Sequence, residues 1–202
     1  MSVAHTNTIQ PTHFSFTAEN LKQAEKIIKR YPAGRQASAV MPLLALAQKQ
    51  YDNWLPRVAM DVVAGMLGMA PMRVYEVATF YSMYNLAPVG KHFVQLCTTT
   101  PCWLRGANDV VSACESHLGI KLGETTKDGQ FTLKEVECLG ACVNAPMAQI
   151  GDIFYEDLNA RNVVALLDQF KRGETPKPGP QSSRTSSEPQ GGATTLNSKK
   201  SA

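Results

Sequence analysis

The chain has 202 residues, 44% of them hydrophobic, and a formal charge of +3 at pH 7. That length and composition suffice for one large core or two small ones. Residues 1–172 are almost neutral, with sixteen Lys and Arg against fifteen Asp and Glu, and aromatic content is 7%, so the basic face that nucleic acid demands is missing. No apolar run approaches the length of a bilayer span, which argues against direct membrane insertion. Residues 1–16 have neither the apolar core of a signal peptide nor the Arg-rich helix of a mitochondrial presequence. The expectation is a soluble protein of a reducing cytoplasm.

Residues 1–16 are polar and aperiodic, and are expected to be loosely ordered. Thr17 then offers a helix cap, and Leu21, Ala24, Ile27 and Ile28 recur at helical spacing until Pro32. Ser38 is expected to cap a second helix running to Tyr51, with Pro42 in its first turn. Pro56 opens a third, closed by Gly68, and Pro71 opens a fourth that reaches Met83. Short connections and marked starts make residues 17–86 a helical bundle. Its methionines (Met60, Met66, Met69, Met72 and Met83) are expected to fill the core.

After the turn at Pro88-Val89-Gly90, residues 91–96 alternate polar and apolar as a strand does, and deliver Cys97 at their carboxyl end. Cys102 leads into one helix closed by Gly119, with Cys114 on its apolar stripe as core filler. Residues 123–129 form a polar loop, and 131–137 a second strand that ends in Cys138. Gly151-Asp152 turns a hairpin, and a last helix covers about 159–172. From Gly173 the composition is that of a disordered tail, 173–202. The fold expected is α+β: an N-terminal helical bundle, then a thioredoxin-like α/β domain over 91–172. Its mixed sheet would carry a helix on each face, and both cysteine pairs would leave the carboxyl ends of neighbouring parallel strands.

Cys97 and Cys102 are separated by four residues, Cys138 and Cys142 by three, each pair in a loop containing proline or glycine. Four thiolates select zinc, copper(I) or an iron–sulfur cluster. The loops are wide for one zinc ion and suit the bulkier [2Fe–2S] core, with two thiolates on each iron. A structural zinc site, two disulfides and unliganded core cysteines remain alternatives. Arg105, one turn beyond Cys102, could soften the field of a buried anionic cluster, although it also reads as an ordinary surface arginine. His5, His13, His92 and His117 lack the pairing with cysteine that a Rieske centre needs. Neither a nucleophile–base set nor a nicotinamide or flavin fingerprint is present, so no catalytic site is expected in the isolated chain.

The run Asp128, Phe131, Thr132, Cys138, Leu139, Gly140, Cys142, Ala145 and Pro146 resembles the signature of the small [2Fe–2S] subunit of respiratory complex I. That family comprises the E-type subunit of bacterial NADH-quinone oxidoreductase and mitochondrial flavoprotein 2. Residues 77–86 and 97–106 resemble two further blocks of it. The resemblance covers about 17–172 and implies a thioredoxin-like ferredoxin with Cys97, Cys102, Cys138 and Cys142 as cluster ligands. It also implies one-electron transfer in the NADH-oxidising arm, in exchange with the FMN of a partner subunit that binds NADH. Other peripheral-arm iron–sulfur subunits would lie nearby, on the cytoplasmic face of a bacterial inner membrane. The same module in an NAD-linked hydrogenase or formate dehydrogenase, and a zinc-stabilised interaction module, are the rival readings.

Overall fold

The structure is a computed structural model and describes residues 10–189, 191, 192 and 195. Residues 1–9 of the expected loose N-terminus, and 190, 193–194 and 196–202 of the expected tail, lie outside the described residues. The chain divides into two compact units, Met1–Val89 and Gly90–Ala202.

The first unit holds α1 (Ala18–Ile28), α2 (Val40–Gln50), α3 (Arg57–Leu67) and α4 (Pro71–Phe80). Thr17 caps α1, its hydroxyl accepting from the Asn20 amide at 3.2 Å. Gly68 closes α3 in the left-handed region that a side chain resists, with φ of 62°. Leu43, Leu44, Ala47, Val63, Val74 and Ala78 form the centre of the core. Ser38 does not cap α2, because a 3₁₀ turn over Gln36–Ala39 runs straight into that helix. The fourth helix stops at Phe80 rather than Met83, where Tyr81 turns extended. Met83, beyond that end, is 50% exposed, and Met72, in the first turn of the helix, is 63% exposed, so neither is core filler. Residues 10–16 are also better held than their composition suggests. Phe14 is buried and meets Phe16 and Tyr51 edge to face, and Gln50 donates to the Ser15 carbonyl at 2.9 Å. Two phenylalanines two residues apart suffice to anchor an otherwise polar stretch.

The second unit contains β1 (His92–Cys97), α5 (Thr100–Leu104), α6 (Ala107–Leu118), β2 (Phe131–Val136), β3 (Ala148–Ile150), β4 (Ile153–Glu156), α7 (Ala160–Lys171) and β5 (Gly179–Pro180). The strands lie in the order β2-β1-β3-β4-β5, with β1 parallel to β2 and antiparallel to β3. Register is fixed at the outset. The Gly90 amide donates to Thr132 Oγ1 at 2.6 Å, and a Cβ on Gly90 would come within 2.8 Å of the Phe131 backbone. Residues 123–126, which lead into β2 through a turn, run antiparallel along the first half of that strand. Gly123 donates to the Leu133 carbonyl, Leu133 to that of Glu124, and Thr126 to that of Phe131.

The helices do not take opposite faces. α6 and α7 pack against each other, and Val110, Cys114, Val163, Leu166 and Leu167 share one core with Val94, Leu96 and Leu133. The strand pattern explains this. Val94, Leu96 and Leu133 point one way, while Gln95, Thr132 and Lys134 occupy the alternate positions, so one face alone is apolar enough for both helices. The single helix expected after Cys102 is two, broken at Gly106 with φ of 97°. The stretch expected to be disordered from Gly173 differs too: β5 pairs parallel with β4, and Arg184 makes an ion pair with Asp157. Long-range polar contacts hold this segment, and composition does not reveal them. Among the described residues no helix is long and apolar enough to cross a membrane.

His92 extends from the apolar face of β1 between Phe131 and Phe170, its ring centroid 5.1 and 4.8 Å from theirs. Its Nε2 is buried with no hydrogen-bond partner among the described residues. Burial, helped by the charge of Lys91, holds its pKa below the ordinary 6.5. A base lowered in this way contributes stability above 6.5 that is lost as pH falls through the folded-state value. Urea midpoints should therefore drop between about pH 7.5 and about pH 5.5. His92→Phe should reduce that drop, and an unchanged pH dependence in the variant would refute the assignment.

Candidate metal centre

The parallel pairing of β1 and β2 brings Cys97 opposite Val136, so both cysteine loops depart from one edge of the sheet. Cys97 ends β1 and is 3% exposed; Cys102, in the first turn of α5, is 1% exposed. Cys138 follows β2 by two residues and is exposed, while Cys142, partly exposed, starts a 3₁₀ turn over Cys142–Asn144. The Cys138 and Cys142 sulfurs are 3.3 Å apart, and Cys102 hydrogen-bonds Cys97. Cys142 also feels the charge of Cys97, and Cys102 that of Cys142, so the four expected residues form one neighbourhood. Beneath them lie Ala107, Ala145 and Met147, with Leu139 and Ala141 packed against the cluster.

The thiols differ in their electrostatics. Burial pushes Cys102 up to about 12, and its hydrogen bond to Cys97 adds to this. Cys138 is held below its ordinary value, first by the Gly140 backbone amide and then by Cys142. Cys142 is raised, because it shares that hydrogen bond with Cys138. Gly140 reaches this position with φ of 88°, a conformation that favours glycine. An amide aimed at a thiolate is the device that iron–sulfur sites use to hold negative charge. Among the described residues no three His, Cys, Asp or Glu side chains are grouped to hold a single metal ion. The contacts of Cys97 with Cys102 and of Cys138 with Cys142 make an inner pair and an outer pair, an arrangement that fits a two-iron core with one pair on each iron.

The stretch Thr98–Thr100 suits a cluster loop by its backbone amides, but two of its threonines act here through their hydroxyls and join the loop to its neighbours. Thr99 Oγ1 lies 3.3 Å from the Cys97 sulfur and also hydrogen-bonds Cys138, on the other loop. Thr98 donates to Glu135 at 2.5 Å, tying the first loop to β2. The threonines are visible in the run Thr98-Thr99-Thr100, but their partners lie across the sheet. Arg105 ends α5, and its charge acts on Asp157. Cys114 is fully buried in the α6–α7 core, as expected, with its thiol pushed up to about 12 by burial. His117 pairs with Asp168 at 2.9 Å, away from these loops.

The family model for thioredoxin-like [2Fe-2S] ferredoxins matches residues 24–171. Mitochondrial NADH dehydrogenase [ubiquinone] flavoprotein 2 from Dictyostelium discoideum is 55% identical over 185 residues, covering 92% of this chain and 75% of that protein. The E-type subunit of NADH-quinone oxidoreductase from Rickettsia felis is 57% identical over 159 residues, 79% of this chain and 95% of the other. Among solved structures, an air-oxidized NAD+-reducing [NiFe]-hydrogenase superposes with a TM-score of 0.57 at 19% identity. That likeness covers 64% of this chain and 23% of the hydrogenase chain, and it establishes the fold alone.

Proposed function

The chain belongs to the thioredoxin-like [2Fe-2S] ferredoxin family, whose cofactor is a [2Fe–2S] cluster, and from that premise we propose a one-electron carrier in the NADH-oxidising arm of an NADH-quinone oxidoreductase. Cys97 and Cys102 would hold one iron, Cys138 and Cys142 the other. When bound, the cluster supplies reversible uptake of a single electron.

The chain's own residues prepare this site. The Gly140 amide and the Thr99 hydroxyl hydrogen-bond the Cys138 sulfur, which favours the anionic form of that ligand. Thr98 and Glu135 hold the first loop against the second strand, so the spacing between the pairs does not depend on the cluster alone. The inner pair is shielded from water, whereas the outer pair reaches the surface, which suits exchange with a docked partner.

The observation that carries the reading is the exposure of Trp103, Leu104 and Val143, at 56%, 70% and 67%, on the two cysteine loops. Large apolar side chains at that edge are what a docking partner would cover. Phe80, Tyr81, Met83 and Leu86 leave a second exposed apolar group on the helical unit, over residues 17–86, and we assign it to docking as well. The partner is the subunit that carries FMN and NADH, with other peripheral-arm iron–sulfur subunits near by. The location is the cytoplasmic face of a bacterial inner membrane, or its mitochondrial equivalent. No catalytic site belongs to this chain by itself.

The test is anaerobic addition of NADH to the chain co-purified with its flavin-bearing partner. NADH should produce the EPR signal of a reduced [2Fe–2S] centre in the complex and none with the chain alone, while dithionite produces it in both. A centre that stays oxidised in the NADH-treated complex would end the proposal. Co-purification with hydrogenase or formate dehydrogenase subunits would transfer the module to another machine.

A further inference from the structure

The segment beyond α7 forms a strap that ends on the second cysteine loop. After β5 pairs with β4, the Gln181 amide donates to the Glu156 carbonyl at 2.9 Å. Ser182 Oγ donates to Asp157 Oδ2 at 2.7 Å, and Arg184 then turns inward. Its Nε donates to the same oxygen at 3.0 Å, and one Nη to Asp157 Oδ1. That Nη also donates to the Val143 carbonyl at 3.0 Å, and the other to the Glu188 carbonyl at 3.1 Å. Asn144, 3% exposed, donates from Nδ2 to the Ser186 carbonyl at 2.8 Å, while its own carbonyl accepts from the Asp157 amide at 2.7 Å. The two residues that follow Cys142 are thus fastened from both sides. Arg184 and Asp157 are each only 12% exposed, although the arginine lies in a stretch of Ser, Pro and Gly.

We propose that Arg184 is a positioning residue for the Cys138–Cys142 loop, its guanidinium locking the strap, Asp157 and the Val143 carbonyl into one unit. The inference rests on the reading that these two cysteines are cluster ligands. Within the loop itself, the turn is held by Asn144 donating to the Ala141 carbonyl and Ala145 to that of Cys142. The Cys138 side of the loop is exposed, and the Gly140 amide hydrogen-bonds the Cys138 sulfur there. A clamp at Val143 and Asn144 therefore governs how firmly that amide faces the sulfur. Lysine cannot substitute, since one ammonium cannot span a carboxylate edge and two carbonyls as a planar fork does. The strap lies beyond the residues matched by the family model, 24–171.

The experiment compares the full-length, cluster-loaded chain with Arg184→Ala, Arg184→Lys and Asp157→Asn. Arg172→Ala, which removes an exposed pair with Glu174, serves as control. The readouts are the EPR g values after dithionite reduction, the midpoint potential from a mediated titration, and the rate of iron capture by a ferrous chelator. The three test variants should release iron about tenfold faster, the scale at which outer-shell partners act on a metal site. They should also shift the g values and the potential, while Arg172→Ala matches wild type. If Arg184→Ala misfolds, Arg184→Lys and Asp157→Asn keep charge or shape and carry the test. A normal wild-type signal with unaltered spectrum, potential and iron release in the variants overturns this inference alone, as does full rescue by lysine. A wild-type chain that shows no [2Fe–2S] signal overturns the ligand reading and the clamp with it.

Discussion

Replacing Cys102 by alanine will abolish the visible absorption and the reduced EPR signal of this protein, while the same change at Cys114 will leave both at wild-type strength. The two thiols look alike in isolation, since both are buried and both are pushed up to about 12 by burial. Their neighbours differ. Cys102 hydrogen-bonds Cys97 and feels the charge of Cys142, whereas Cys114 sits among Val110, Val163 and Leu166. Losing an outer-shell partner costs a metal site roughly 10–100-fold in affinity, and losing a ligand should cost more. Iron per chain, measured beside the spectra, decides the matter. A Cys102→Ala protein with full iron content would remove Cys102 from the ligand set.

Leu133→Ala should cost the fold about 2–5 kcal/mol, the range for emptying a fully buried leucine site. Leu133 is 0% exposed in the middle of β2, opposite Val94, and contributes to the core that α6 and α7 share. The same strand leads to Cys138, so iron retention on warming should fall together with stability. Leu104→Ala, at a side chain 70% exposed, should stay within about 0.5 kcal/mol of wild type. Urea unfolding followed by circular dichroism measures both, and a Leu133→Ala loss below about 1 kcal/mol would mean that the strand is not central to the core.

Much of this arrangement can be read from local chemistry. Thr17, Pro56, Pro71 and Gly68 mark helix ends because capping and backbone restriction act within a turn or two. The alternation ending in Cys97 identifies β1, and the right-handed crossover makes β2 its neighbour, so the meeting of the cysteine loops follows from chain order. What local chemistry hides depends on distant partners. Which sheet face receives α7 is decided by the pairing of Gln95 with Lys134 and Phe93 with Thr132, which leaves that side too polar for a helix. The break at Gly106 is hidden because apolar residues at 104, 107 and 110 continue the periodicity across it. Arg184 is one basic residue in a polar tail until Asp157, twenty-seven positions earlier, is brought to it. Thr99 likewise acquires meaning once Cys138 is beside it.

The fold-back of residues 123–126 along β2 has a consequence for contact between molecules. The outer margin of a sheet ordinarily offers bare peptide groups that recruit strands from other molecules. Here the carbonyls of Phe131 and Leu133 and the Leu133 amide are already engaged by the loop. Over Phe131–Leu133 that margin is therefore closed to a strand from another molecule, and recruitment there would first have to displace the loop.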